Sequence, residues 1–263
     1  MYYSAYLVIY KLNNIKMNYY KLDWLFSEND LIISLPILLT LVFFTLYWFV
    51  SKSKMIKNLF YSKYDFDRAS VNHIFFTKYF GFFSMGVVPT IICVSFLPNM
   101  SIKKLGLTFI HDTTIFSLLW ILGLSVLVIP LVYFSAKNPK NFINYPQIRS
   151  KTWTTKIVLI NALGWFLYLF GYEFLFRGVL LIPLIEPLGM WPAIAINIAL
   201  YSATHIPKGL DETIGAIPLG LVLCLLTISS GTIWIAFIVH VVMAWTNTFT
   251  ALKYNPEMQF LKK

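Results

Sequence analysis

Residues 31–50 read LIISLPILLTLVFFTLYWFV, twenty consecutive positions without a charge. A helix of that length crosses about 30 Å of hydrocarbon. Lipid, unlike water, leaves the backbone to satisfy its own hydrogen bonds, so such a run commits the chain to a membrane helix. Further apolar segments follow at residues 79–97, 114–134, 154–176, 191–203, 214–228 and 233–252. Composition agrees: 58% of the residues are hydrophobic and only 12% are charged, whereas soluble domains carry about a quarter charged. The expectation is an all-α, polytopic transmembrane bundle of about seven hydrophobic segments, the last four forming a C-terminal core.

The net charge of +10 falls in the connections between these runs. Residues 51–78 mix basic and aromatic side chains and read as a cytoplasmic loop or as an amphipathic helix lying in the interface. Residues 136–156 carry Lys137, Lys140, Arg149, Lys151 and Lys156 with no acid. Two spans separate these basic stretches, so both can face an anionic cytoplasmic leaflet, with Lys103 and Lys104 outside. That distribution points to membrane lipid rather than nucleic acid as a partner. Cys93 and Cys224 lie in apolar runs and define neither a disulfide framework nor a zinc spacing. No Gly-rich phosphate loop appears.

The chain divides into a surface segment at residues 1–30, with a second candidate start at Met17, then helices and basic loops over 31–150. A core over 151–253 and a short basic tail over 254–263 complete it.

The core holds polar residues where lipid disfavours them. Glu173 and Arg177, in YEFLFR, stand four apart and share one helical face. Burying either charge alone costs several kcal/mol, so pairing is the natural arrangement, structural or functional. His205 ends a short apolar run, with Tyr201 one turn before it and Pro207 and Gly209 stopping the helix after it. Glu212 follows across that break. His240 has apolar neighbours on both sides, with Ala244 and Asn247 on its face. A neutral imidazole there needs both a donor and an acceptor. Together these groups supply a carboxylate suited to activating water and imidazoles suited to stabilising an oxyanion. A scaffold that binds without cleaving, or a transporter, would use the same polar cluster. Against the transporter, the two halves show no hydropathy symmetry, and the cores of the first three spans lack charges.

In order and spacing, YEFLFR, YSATH and HVVMA resemble the motifs of the CPBP intramembrane proteases. That family includes the type II CAAX prenyl endopeptidases and the Abi bacteriocin-immunity proteins. Its motifs run Glu-Glu-x-x-x-Arg, Phe-x-x-x-His and His-x-x-x-Asn or Asp on successive helices. The resemblance covers residues 153–252. It implies a bacterial, multi-pass membrane peptidase that acts through glutamate-activated water with histidine oxyanion stabilisation. The candidate catalytic residues are then Glu173, Arg177, His205, His240, Glu212 and Asn247, and the substrate is a peptide or protein, such as a prenylated or leader peptide. Two positions depart from the pattern: Tyr172 replaces the first glutamate and Ala244 the final Asn or Asp. These departures keep open a catalytically inactive protein that serves in peptide immunity or binds a partner. No cofactor is expected, although two histidines and a carboxylate are also a donor set for a divalent metal.

Overall fold

The computed structural model describes residues 25–261. Most of the expected segment 1–30, including Met17, lies outside the described residues. The helices follow the hydropathy closely. The first, α1 (Glu28–Lys52), opens on a capping box: Asp30 N–H donates to Ser27 Oγ at 3.1 Å, and Ser27 N–H donates to the Asp30 carboxylate at 2.9 Å. These bonds satisfy two of the donors left free at a helix start. Leu38, Leu41, Val42 and Phe49 on α1 stay exposed, a surface suited to lipid.

A short exposed helix, α2 (Lys54–Tyr61), leads to α3 (Phe66–Phe96). Hydropathy placed the start of this span near residue 79 and left residues 66–78 in a loop; the structure makes them helical. Asp67, Arg68 and Lys78 mask the helix in a hydropathy profile. Its start is set by Asp65, whose carboxylate accepts from Arg68 N–H at 2.9 Å.

Next come α4 (His111–Ala136) and α5 (Thr155–Leu188). Then follow α6 (Met190–Ala203), α7 (Leu210–Ser230) and α8 (Trp234–Tyr254). Six of these helices are long and apolar enough to cross a membrane: α1, α3, α4, α5, α7 and α8. The remaining apolar segment, 191–203, is α6, whose 14 residues reach only about 21 Å at 1.5 Å per residue. The protein is an all-α, multi-pass membrane bundle.

Hydrogen bonds at each end fix the orientation of the connections. Arg149 N–H donates to Ser70 Oγ at 2.6 Å and Lys151 N–H to the Asp67 carboxylate at 3.1 Å, so the two basic stretches share one end. At the opposite end Ile233 N–H donates to Gly106 O at 3.1 Å, and the Trp234 indole donates to Thr108 O at 2.8 Å. The C-terminal tail returns to the basic end, where Gln259–Phe260 pairs in parallel with Thr152–Trp153.

The core centres on α5. Its middle stretch, Phe174 to Leu181, is π-helical and every residue in it is buried. Helix α3 crosses α5 at two glycines: a Cβ on Gly86 would sit 2.8 Å from Gly171 Cα, and one on Gly171 would sit 2.9 Å from Phe82 Cα. Close backbone approach of this kind is how membrane helices gain packing without a hydrophobic driving force. Gly171→Ala is expected to destabilise the protein by about 1–3 kcal/mol through overpacking. Gly123→Ala, where a Cβ meets nothing within 4 Å, is expected to be neutral or stabilising. Thermal unfolding of the two variants in detergent checks the opposite signs.

Candidate active site

Glu173 is the last α-helical residue of α5 before its π-helical stretch. Its carboxylate is fully buried and both oxygens are occupied. Oε2 accepts from Arg177 Nε at 3.0 Å, and Oε1 lies 2.6 Å from His240 Nδ1 on α8. A carboxylate only accepts, so Nδ1 carries the proton and Nε2 is the imidazole atom left to act.

Arg177 is equally buried and spreads its contacts over three helices. Its Nη1 donates to Asn197 Oδ1 on α6 at 2.6 Å and approaches Cys224 Sγ on α7 at 3.0 Å. The guanidinium also lies over the Tyr201 ring, 4.6 Å from its centre. Asn197 is held in turn, its amide donating to Phe176 O at 2.6 Å. Sequence reasoning missed Asn197. Its signal was available: it is the sole amide in the uncharged run 191–203, and a buried amide in lipid requires partners.

His205 follows the end of α6. Its Nδ1 lies 3.0 Å from Tyr201 O and 3.2 Å from Thr204 Oγ1. Tyr172, in the position of the missing glutamate, places its hydroxyl 2.8 Å from Thr204 Oγ1. Its ring centre is 5.6 Å from that of His240 and 5.7 Å from that of Tyr201, which is itself 5.1 Å from His205. Tyr172 therefore packs against the His240 ring and is linked to His205 through Tyr201 and Thr204. Among the described residues neither histidine Nε2 has a protein partner.

Burial, reinforced by the Lys208 ammonium, pulls the His205 imidazole from its ordinary 6.5 to about 4. His240 adds slightly to that effect, and the Tyr201 carbonyl and Glu173 oppose it. Between the two values the unfolded chain binds a proton that the folded chain refuses, so stability is complete above 6.5 and is lost as pH falls toward 4. The His205 ring nitrogens are expected to show the neutral form throughout pH 5–8 in 15N spectra, with thermal stability falling below about pH 6.

The other candidates lie elsewhere. Glu212 pairs with Lys208 at 3.4 Å, both side chains being partly exposed. Asn247 is seven residues beyond His240, about 10 Å along α8, and its Oδ1 is buried without a partner. Ala244, one turn from His240, is buried and brings no donor. Among the described residues no group of three or more His, Cys, Asp and Glu side chains is gathered for a metal.

Helices α6, α7 and α8 therefore converge on the Glu173 carboxylate and its arginine on α5, with the His240 ring against Tyr172. Residues 151–246 match the family model described as type II CAAX prenyl endopeptidase Rce1-like. Over that segment, somewhat more than a third of the chain, the core is similar to that family. No curated protein and no solved structure matches the chain. The Rce1-like segment takes in α5, α6, α7 and α8 as far as Thr246, and so includes Glu173, Arg177, His205, Glu212 and His240. The described helices α1 to α4 precede it and Asn247 lies just past it.

Proposed function

We propose that the Rce1-like core is an intramembrane peptidase, hydrolysing a peptide bond of a membrane-associated peptide or protein. The observation that carries this reading is the Glu173 carboxylate, held by Arg177 on one oxygen and by His240 on the other. Such a carboxylate is poorly placed to take a proton from water, because both oxygens already accept hydrogen bonds. It is well placed to orient His240 and to balance its charge. When His240 is protonated, the triad of Glu173, Arg177 and His240 carries one net positive charge. A carbonyl oxygen that becomes an oxyanion beside His240 Nε2 neutralises it. Preorganised electrostatics of this kind in a dry site is often the largest single contribution to catalysis.

The test is Glu173→Gln, which preserves shape while removing the charge and one acceptor. Purified protein in lipid nanodiscs is expected to lose about 10²–10³-fold in kcat on a cleaved peptide, as when an oxyanion donor is lost. Retention of wild-type kcat by this variant would remove the proposed role. Tyr172 and Ala244 favour a second reading, a protein that binds peptides or a partner without cleaving them. Failure of the folded wild type to cleave any member of a diverse peptide library would select it.

A further inference from the structure

With Glu173 saturated and Glu212 paired at the surface, the described site offers no free carboxylate to activate water. It does offer an imidazole whose tautomer the surrounding structure dictates. Tyr201 O is a carbonyl and can only accept. The Thr204 hydroxyl has one proton, which it donates to the same carbonyl at 2.7 Å. That leaves Thr204 Oγ1 to accept from the Tyr172 hydroxyl and to present its remaining lone pair toward His205 Nδ1. Every neighbour of Nδ1 is thus an acceptor, and the proton of neutral His205 must reside there. Nε2 then carries a lone pair that no group among the described residues uses.

We infer that His205 Nε2 is the general base of this site and that Thr204 and Tyr172 are its positioning residues. The inference rests on the peptidase reading above and names the group that reading leaves open. In the forward step a water proton passes to Nε2 while the water oxygen forms a bond to the scissile carbonyl carbon. The carbonyl π pair moves onto oxygen, facing His240. In the second step the C–N bond breaks, the Nε2 proton passes to the leaving nitrogen, and the oxyanion re-forms a carbonyl. The products are a carboxylic acid and an amine, and His205 returns to its starting tautomer. Tyr172 thereby has a task in place of the carboxylate of the resembling family. It ties the end of α6, through Thr204, to α5, which carries Glu173. This link holds the base in a fixed relation to the Glu173–His240 pair.

The experiment combines kinetics with 15N-histidine spectra of the full chain in nanodiscs, where only four histidines need assigning. In the wild type, His205 is expected to appear as the Nδ1–H tautomer. Thr204→Val, which keeps the shape and removes the hydroxyl, is expected to reduce kcat about 10–100-fold with KM unchanged, and to alter the His205 nitrogen shifts. Thr204→Ser restores both. His205→Gln abolishes cleavage while the melting temperature stays near that of the wild type. Cleavage that survives His205→Gln overturns the inference and leaves the peptidase reading standing, as does an Nε2–H tautomer in the wild type. A wild type that cleaves nothing overturns both, and the tautomer spectrum then reports the hydrogen-bond geometry alone.

Discussion

Arg177→Met is expected to destabilise the protein by about 3–5 kcal/mol, the cost of leaving a buried charge without its partner. The side chain it removes is fully buried, and it is the Arg177 guanidinium that joins Glu173 on α5, Asn197 on α6 and Cys224 on α7. Glu173 would keep only His240 as a neighbour able to offset its charge. The double change Glu173→Leu with Arg177→Met is expected to recover much of the loss, because an apolar replacement of a whole buried pair is often neutral. Unfolding in detergent across this double-mutant cycle gives the coupling directly. Additive single effects would mean that the pair does not anchor the core.

The second large effect concerns chemistry. His240→Ala is expected to reduce peptide cleavage about 10²–10⁴-fold, the range for loss of a positioned proton donor or acceptor. Stability is expected to change less than with Arg177→Met, because His240 is only partly buried and Glu173 retains Arg177. Glu212→Ala is expected to leave cleavage unchanged. Its carboxylate meets Lys208 in a partly exposed pair, and solvent-screened pairs contribute little. A loss of activity in Glu212→Ala comparable to that in His240→Ala would show that the loop after α6 rearranges around substrate to bring Glu212 in.

Much of this arrangement was legible because lipid enforces strict rules. A long uncharged run has few alternatives to a spanning helix, and the seven apolar segments reappear as six long helices and the short α6. The pairing of Glu173 with Arg177 followed from their spacing of four and the cost of a lone charge. The contact between His240 and Glu173 joins residues 67 positions apart; only the order of motifs hinted at it, not local periodicity. Periodicity failed where charge masked it, as at residues 66–78, whose start depends on the Asp65 cap rather than on hydropathy. The break at Pro207 and Gly209 hid a second pair: Lys208 and Glu212 also stand four apart, but the turn between them interrupts the helix that would make that spacing informative. Asn247 shares the helical face of His240, but two turns carry it away from the cluster. Asn197 was legible only as a polar residue inside an apolar run and Thr204 as one just past its end, and their importance comes from what the fold sets against them.

The most direct test of the central claim is mass spectrometry of a peptide library incubated in 18O-water with the wild-type protein in nanodiscs, beside His205→Gln and His240→Ala. A peptidase built as described produces new C-terminal carboxylates carrying one 18O atom in the wild type, and neither variant releases them at a comparable rate. Labelled products formed equally well by both histidine variants would contradict the account, as would a folded wild type that yields none.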